Sequence, residues 1–222
     1  MSYSERFWNE FQKNIDNEID KNANFMDIYK GRDKYTRKMN NKKYGIISKT
    51  IKAIDSNMEI QKEYFRVDVT AWKSMFDRKH NPNDIARWMN EFSKRNMNPH
   101  LWNLYFAVEH ENDSEDWMDE VLKLVHLRCP LKVVIGYVPW DKRADRYQGD
   151  NGRLKLATEC LKWTKAYERQ PSTYLSNSTE ESSHHEEFLV ILGNCHGENS
   201  DYDWPEYKGY LFDGKQGFQK IG

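Results

Sequence analysis

Residues 101 to 111 read Leu-Trp-Asn-Leu-Tyr-Phe-Ala-Val-Glu-His-Glu. An apolar and aromatic run of this length is typical of a β-strand, and this one carries two acids at its end, Glu109 and Glu111. Because strand side chains alternate between faces, both acids project from one face, with Cα atoms about 6.6 Å apart. His110 projects from the other face. The stretch therefore predicts a strand that presents paired carboxylates next to a core.

A second predicted strand carries a single acid. Residues 64 to 72 (Tyr-Phe-Arg-Val-Asp-Val-Thr-Ala-Trp) are rich in β-branched and aromatic side chains, and Asp68 interrupts them between two valines. A buried carboxylate without a partner is costly, and converging carboxylates raise one another's pKa. A divalent cation removes both problems, and Mg²⁺ prefers such oxygen ligands. Asp68, Glu109 and Glu111 therefore form a candidate metal site.

Apolar residues spaced three and four apart predict amphipathic helices around these strands. The predicted helices span residues 4–28, 47–58, 82–92, 114–127 and 156–167. The last helix is predicted to bury the face formed by Leu156, Cys160, Trp163 and Tyr167. Between the first two helices, Lys30 to Lys43 holds seven Lys or Arg residues against one Asp and is predicted to be a polar loop.

Two further segments, residues 131–138 and 188–193, are almost entirely apolar and predict central strands covered on both faces. Residues 207–212 predict a strand that pairs near the second of them. The alternation of strands and helices predicts an α/β fold, with a mixed central β-sheet flanked by helices. We expect one domain over residues 1–222, with N-terminal helices (1–60), a core (63–138) and a C-terminal helix and extra strands (139–222).

Composition limits the classes of protein that fit. The 222 residues are 38% hydrophobic and 14% aromatic, which is enough to form a core. The formal net charge is −1, so binding of nucleic acid must rely on a local basic patch. Three separated cysteines do not form a disulfide framework or a zinc ribbon. No segment approaches the roughly 18 apolar residues of a membrane helix, and we expect a cytoplasmic protein without membrane contacts.

The order of these elements resembles the core of the PD-(D/E)XK, or restriction-endonuclease-like, nuclease superfamily. Residues 66–69 resemble its Asp strand, residues 107–112 its Glu-x-Lys strand, residues 114–127 its following helix and residues 131–138 its next strand. The resemblance covers about residues 63 to 138 and implies a restriction-endonuclease-like αβββαβ core. Two positions depart from the pattern. Val67 replaces the proline of the family name, and Glu111 replaces the usual lysine, as it does in a minority of restriction endonucleases.

The resemblance implies roles for the residues at the matching positions. Asp68, Glu109 and Glu111 would be catalytic. Asp68, Glu109 and the main-chain carbonyl of His110 would bind Mg²⁺ or Mn²⁺, and Glu111 would orient or deprotonate water. In some members a carboxylate from an upstream helix joins the site, which makes Glu10 and Glu18 candidates.

A lysine from another segment would also compensate for the substitution at position 111. Lys123 is close in sequence, but on a helical wheel it lies about opposite the centre of the apolar face of its helix. It is therefore predicted to face solvent.

The expected function is metal-dependent hydrolysis of phosphodiester bonds, by an endonuclease acting on DNA. Tyr35 and Tyr44 are candidates for stacking on bases. Cleavage of both strands often uses two sites, so a homodimer is expected by analogy. The candidate phosphate contacts are Lys34, Arg37, Lys38, Lys42 and Lys43.

Two alternatives stay open at this point. One is a catalytically inactive protein of the nuclease fold that binds nucleic acid or another protein, which Glu111 in place of lysine would favour. The other is an unrelated α/β interaction protein whose acids are surface features.

Overall fold

The computed structural model describes residues 1–64, 66–74, 82–94, 102–112, 117–138, 150–164, 186–194, 205–214 and 216–222. The helices are α1 (Tyr3–Lys21), α2 (Phe25–Lys30), α3 (Arg32–Asn40), α4 (Ile46–Ile54), α5 (Pro82–Lys94), α6 (Trp117–Val125) and α7 (Asp150–Trp163). The strands are β1 (Glu59–Tyr64), β2 (Val67–Ser74), β3 (Trp102–His110), β4 (Leu131–Val138), β5 (Glu187–Asn194), β6 (Tyr207–Phe212) and β7 (Phe218–Ile221).

The seven strands form one mixed sheet in which their spatial order follows the sequence. Neighbours in β1-β2-β3 and in β5-β6-β7 are antiparallel, whereas β4 is parallel to both β3 and β5. Parallel neighbours need a long crossover connection, and the segments containing α6 and α7 provide the two crossovers. The predicted α/β class, the mixed central sheet flanked by helices and the extra C-terminal strands are confirmed.

Apolar side chains cover both faces of this sheet. On one face, aromatic residues of α1 such as Phe7 and Phe11 join Val108 and Ile135 in a core that also includes α2, α3 and α4. On the other face, α6 and α7 pack over a second core. All eight residues of the central strand β4 are buried, which explains why its sequence is apolar except for Lys132, which pairs with Glu186. In the described part of the chain, no helix combines the length and apolar composition that a bilayer-spanning segment requires.

The helical N-terminal region differs from the sequence prediction in two respects. The helix predicted over residues 4–28 is divided, because α1 ends before Asn22, whose backbone is extended, and α2 begins at Phe25. The loop predicted over Lys30 to Lys43 is wrong, because most of it forms α3. Tyr35 and Met39, four residues apart, are fully buried on the inner face of α3, and this packing stabilises a helix that is otherwise strongly charged.

The single strand predicted over residues 64–72 is in fact parts of two antiparallel strands. Glu63 and Arg66 have positive φ angles of 55° and 61°, and the chain reverses here between β1 and β2. The first strand, Glu-Ile-Gln-Lys-Glu-Tyr, has little strand signal, since only Ile60 is buried. Polar sequences of this kind are common in edge strands.

The predicted inner face of α7 is also wrong. Leu154, Ala157 and Leu161 are buried, whereas Leu156 and Trp163 are 55% and 83% exposed. Both sets repeat at helical spacing, and the set with the smaller side chains packs against the sheet. The helix beginning at Pro82 is confirmed.

Close contact between β4 and α6 makes Gly136 sensitive to substitution. A Cβ atom at this position would lie 2.6 Å from Cγ and 2.7 Å from Cβ of Trp117, so α6 must shift to admit it. We expect Gly136→Ala to lower the free energy of unfolding by about 1–3 kcal/mol, measured by urea denaturation. The same substitution in a Trp117→Leu background should cost less, because the obstructing ring is absent. Equal costs in the two backgrounds would contradict this packing.

Candidate metal centre

Asp68 on β2 and Glu109 on β3 lie at the same end of an antiparallel strand pair. The register joins Val69 to Val108, so the next position places Asp68 opposite Glu109. The main-chain N–H of Asp68 donates to Oε2 of Glu109 at 3.1 Å, and the main-chain N–H of His110 donates to Oδ2 of Asp68 at 3.0 Å. The two carboxylates are therefore fixed across the strand pair by backbone donors. The structure brings together these two of the three acids predicted to be catalytic.

Lys123 of α6 is the charged side chain in contact with Glu109. Its Nζ atom lies 2.9 Å from Oε1 of Glu109, also contacts the carboxylate of Glu120, and donates to the carbonyl oxygen of Arg66 at 3.3 Å. The prediction that Lys123 faces solvent is wrong, since its ammonium contacts the buried carboxylate of Glu109, although the side chain is 36% exposed. A helical wheel gives the direction of the Cβ atom, whereas the long lysine stem follows the helix surface and carries the ammonium to the strand end.

The two residues that follow Glu109 have different environments. His110 points to the opposite face, as predicted, and its Nε2 atom lies 2.8 Å from the hydroxyl oxygen of Tyr137. Glu111 lies one residue beyond the end of β3, is half-buried, and donates its main-chain N–H to the carbonyl oxygen of Ile135 at 2.9 Å. Glu111 therefore lies just beyond the strand that was predicted to carry it, and its main chain remains bonded to β4.

Asn40, the last residue of α3, contributes a buried amide to the same site. The side chain is 2% exposed and forms a hydrogen bond with the carboxyl group of Asp68. Its Oδ1 atom is buried, with no hydrogen-bond partner in the described part of the chain. One turn earlier, Thr36 accepts a hydrogen bond from the side-chain amide of Asn112, which ties α3 to the chain just after β3. Sequence reasoning missed Asn40 because it assigned residues 30–43 to a loop.

Burial and mutual repulsion shift the pKa values of the acids. Burial raises the pKa of Asp68, and hydrogen bonds from the His110 N–H and from Asn40 partly oppose this effect. Burial also raises the pKa of Glu109, to about 8; the hydrogen bond from Lys123 opposes the rise, and the charges of Glu120 and Asp68 add to it. Burial lowers the pKa of Lys123, but its hydrogen bonds to Glu120 and Glu109 raise it by more. When all three carboxylates of the cluster, those of Asp68, Glu109 and Glu120, are ionised, the single ammonium of Lys123 does not balance their charge.

The two candidate carboxylates of α1 are engaged elsewhere. Glu18 lies 2.5 Å from Nζ of Lys38 and 2.6 Å from Nζ of Lys49. Glu10 lies 3.7 Å from Nζ of Lys13. Among the described helical residues, Asn40, Glu120 and Lys123 are instead the ones whose side chains reach the cluster.

The donor set suits a hard cation. The available atoms are carboxylate oxygens of Asp68 and Glu109 and the partnerless amide oxygen of Asn40, and all are of the class that Mg²⁺ prefers. Within the described ranges, no group of three His, Cys, Asp or Glu residues is arranged to hold one ion. Mg²⁺ commonly takes only one or two carboxylates and fills its remaining positions with water and substrate phosphate. The residues present therefore fit a partly hydrated Mg²⁺ ion.

The predicted phosphate-binding residues lie on and after α3. Lys34, Arg37 and Lys38 line a shallow pocket of about 410 Å³ together with Ile28, Asn41 and Tyr44. Lys42 and Lys43 are exposed in the turn that follows. Tyr44 is 61% exposed and accessible to a stacking base, whereas Tyr35 is fully buried, so the prediction that Tyr35 stacks on bases is wrong.

Comparison with known proteins found no relative of this chain. No protein-family model, curated protein or solved structure matches the chain.

Glu109 makes the stability of the cation-free protein depend on pH. Its pKa of about 8 lies above the ordinary value of 4.5, so between these values the folded protein binds more protons than the unfolded chain. Stability must then fall as pH rises through this interval. We expect the urea midpoint, measured in EDTA, to fall from pH 5 to pH 8, and Glu109→Gln to flatten this dependence.

Glu91→Gln is the control for this measurement, because it neutralises an exposed glutamate of α5. It should retain the pH dependence of the wild type. A Glu109→Gln curve parallel to the wild-type curve would contradict the assignment of Glu109 as a buried acid.

Proposed function

We propose that this protein is a divalent-metal-dependent nuclease that hydrolyses phosphodiester bonds, with DNA as the substrate of an endonuclease reaction. The observation that carries the proposal is the pair of buried carboxylates, Asp68 and Glu109, with the ammonium of Lys123 2.9 Å from Glu109. Converging acids next to one lysine are suited to holding a cation and a phosphate together.

Each residue of the centre has a chemical role in this proposal. Asp68 and Glu109, with the main-chain carbonyl of His110, would hold Mg²⁺ or Mn²⁺. The bound ion would lower the pKa of a water molecule and offset charge on the phosphate. Lys123 takes the role that the sequence resemblance assigned to position 111, and its ammonium orients the attacking water or contacts a phosphate oxygen. Glu111 remains the alternative residue for that role.

The order of the elements supports the family resemblance. Three antiparallel strands, β1 to β3, are followed by α6 and by β4 parallel to β3. The same order defines the αβββαβ core that the sequence resembles. Asp68 is on the second strand and Glu109 on the third, as that resemblance requires. A lysine supplied by α6 also removes the main departure from the pattern, which is the missing lysine at position 111.

The position of α3 supports nucleic acid as the substrate. This helix presents Lys34 and Arg37 to a surface pocket, and its last residue, Asn40, contacts Asp68. Cations at such a surface bind phosphates independently of sequence. The exposed ring of Tyr44 lies at the same pocket and is available to an unpaired base. We therefore assign the backbone contacts to the predicted residues Lys34, Arg37, Lys38, Lys42 and Lys43.

One observation favours a second function. Lys123 acts as a counterion for both Glu109 and Glu120. A catalytically inactive protein of the same fold would keep these ion pairs if it served only to bind nucleic acid or a partner protein. The two functions differ in their need for a divalent cation.

A nicking assay on supercoiled plasmid separates these functions. We expect cleavage that requires Mg²⁺ or Mn²⁺, and losses of at least about 100-fold in Asp68→Asn and Glu109→Gln, because each removes a ligand charge. Lys123→Met should lower the rate by a similar factor while Mn²⁺ binding persists. If Glu111→Gln is impaired and Lys123→Met is not, the role passes to Glu111.

Lys94→Met is the control, since it removes an exposed lysine that pairs with Glu91 on α5. It should cleave like the wild type. A wild-type protein that binds DNA but leaves plasmid intact with either metal would reject the nuclease and favour the inactive binding protein.

Binding of DNA should depend on the basic pocket. We expect Lys34→Gln and Arg37→Gln each to weaken binding of a labelled oligonucleotide and to reduce the slope of log K against log salt by about 1, as measured by fluorescence anisotropy. Lys13→Gln removes the same charge from an exposed position on α1 and should leave the slope unchanged. Equal slopes for all four proteins, including the wild type, would exclude this pocket as the DNA contact.

A further inference from the structure

Asn40 is a buried amide whose two polar atoms have unequal environments. The side chain is 2% exposed and is hydrogen-bonded to the carboxyl group of Asp68, whereas Oδ1 has no partner among the described residues. A buried acceptor that lacks a donor costs roughly 1–3 kcal/mol. An apolar residue at position 40 would avoid that cost. The buried amide oxygen therefore indicates that a bound ligand donates a hydrogen bond to it.

Chemistry fixes the orientation of this amide. A carboxylate only accepts hydrogen bonds, so the Nδ2 group of Asn40 must be the donor to Asp68. The reverse orientation would put Oδ1 against the negative oxygens of Asp68. The amide is planar and small, so Oδ1 lies close to the same carboxylate and belongs to the metal centre.

The donors already present in the centre are committed to other acceptors. An ammonium has three N–H groups, and Nζ of Lys123 contacts three oxygens, those of Glu109, Glu120 and the Arg66 carbonyl. The main-chain N–H groups of Asp68 and His110 donate to the two carboxylates. Among the residues that the structure describes, no donor is therefore left for Oδ1. A water molecule bound to a divalent cation is a strong donor, and the adjacent carboxylate is where such a cation would be held.

We propose that Asn40 is a positioning residue of the metal centre, resting on the proposed function. Its Nδ2 group orients Asp68 as a ligand, and its Oδ1 atom accepts a hydrogen bond from a water molecule in the coordination shell of Mg²⁺ or Mn²⁺. Groups that orient ligands in this way typically change metal affinity by 10–100-fold when they are removed. Asn40 thus couples α3, the helix of the basic pocket, to the centre.

Mn²⁺ binding to Asn40→Leu, without DNA, tests this role. Electron paramagnetic resonance of free Mn²⁺ gives the affinity, and thermal unfolding in EDTA gives the stability of the cation-free protein. We expect affinity to fall 10–100-fold. The cation-free melting temperature should stay close to that of the wild type, because removal of the buried acceptor without a donor offsets loss of the Nδ2 hydrogen bond to Asp68. A merely structural amide would give the opposite result, with a lower melting temperature and unchanged affinity.

The matched control is Asn14→Leu on α1. The Asn14 amide donates to the Glu10 carbonyl oxygen at 2.8 Å and to Oγ1 of Thr50 at 3.2 Å, away from the centre. This variant should lose stability and keep Mn²⁺ affinity. Wild-type protein that does not bind Mn²⁺ would overturn the proposed function. Wild type and Asn40→Leu binding Mn²⁺ equally would overturn only the role of Asn40.

Asn40→Asp provides a second test, which can be used even if Asn40→Leu folds poorly. It preserves shape but places a carboxylate beside Asp68, so the cation-free protein should melt at a lower temperature. Bound Mn²⁺ should offset the added charge, and the rise in melting temperature on adding Mn²⁺ should exceed that of the wild type. A rise equal to or smaller than the wild-type rise would overturn the proposal.

Discussion

The dominant constraint on this end of the molecule is the burial of two carboxylates, Asp68 and Glu109, at adjacent strand ends. Burial of charge without compensation is among the largest costs in a folded protein. The backbone supplies one N–H group to each acid, and Lys123 supplies an ammonium. Asn40 adds an amide from α3. These donors come from both faces of the sheet, since α3 packs in one core and α6 in the other. The centre therefore forms where the two helical layers meet at the end of the sheet.

The face behind the carboxylates holds the strand end in place. The His110 N–H fixes Asp68, while the His110 side chain contacts the Tyr137 hydroxyl in the opposite core. Tyr137 also contacts Tyr207, which is hydrogen-bonded to Tyr35 of α3. Burial raises the pKa of all three tyrosines, so they stay neutral. The helix that carries Asn40 is thereby joined to the strand whose backbone positions Asp68, and both are tied to the same buried hydroxyl groups.

Local sequence patterns predicted the elements that depend only on the local geometry of the chain. The apolar run of β4 and the alternation in β3 predicted buried strands, and the pairing of β2 with β3 then brings Asp68 to Glu109. The patterns failed to predict elements that are stabilised by contacts between distant parts of the chain. Charge predicted a loop over residues 30–43, but burial of Tyr35 and Met39 stabilises α3. Nothing local marks the chain reversal near Arg66, because residues other than glycine rarely adopt positive φ.

Of the residues in the candidate metal centre, only the two carboxylates could be predicted from the sequence, for a related reason. Its carboxylates belong to neighbouring strands, whereas Lys123 and Asn40 arrive on helices whose positions are set by other residues. Trp117, packed closely on Gly136, places α6 over the strand end, and the buried Tyr35 places α3. Periodicity indicates which face of a helix is buried, but it does not report how far a lysine stem reaches or which acid a terminal asparagine meets.

Charge balance links the architecture of the centre to its proposed chemistry. When ionised, Asp68, Glu109 and Glu120 carry three negative charges against the one ammonium of Lys123, so two negative charges remain in a largely buried cluster. Without a cation, the cluster lowers its charge by keeping a proton on Glu109, whose pKa is raised to about 8. One divalent cation would balance the remaining two charges and displace that proton. In the proposed reaction, Lys123 would then no longer serve as the main counterion, and its ammonium would be available to a phosphate oxygen. The excess negative charge that weakens the cation-free protein is thus the feature that would draw a divalent cation to this site.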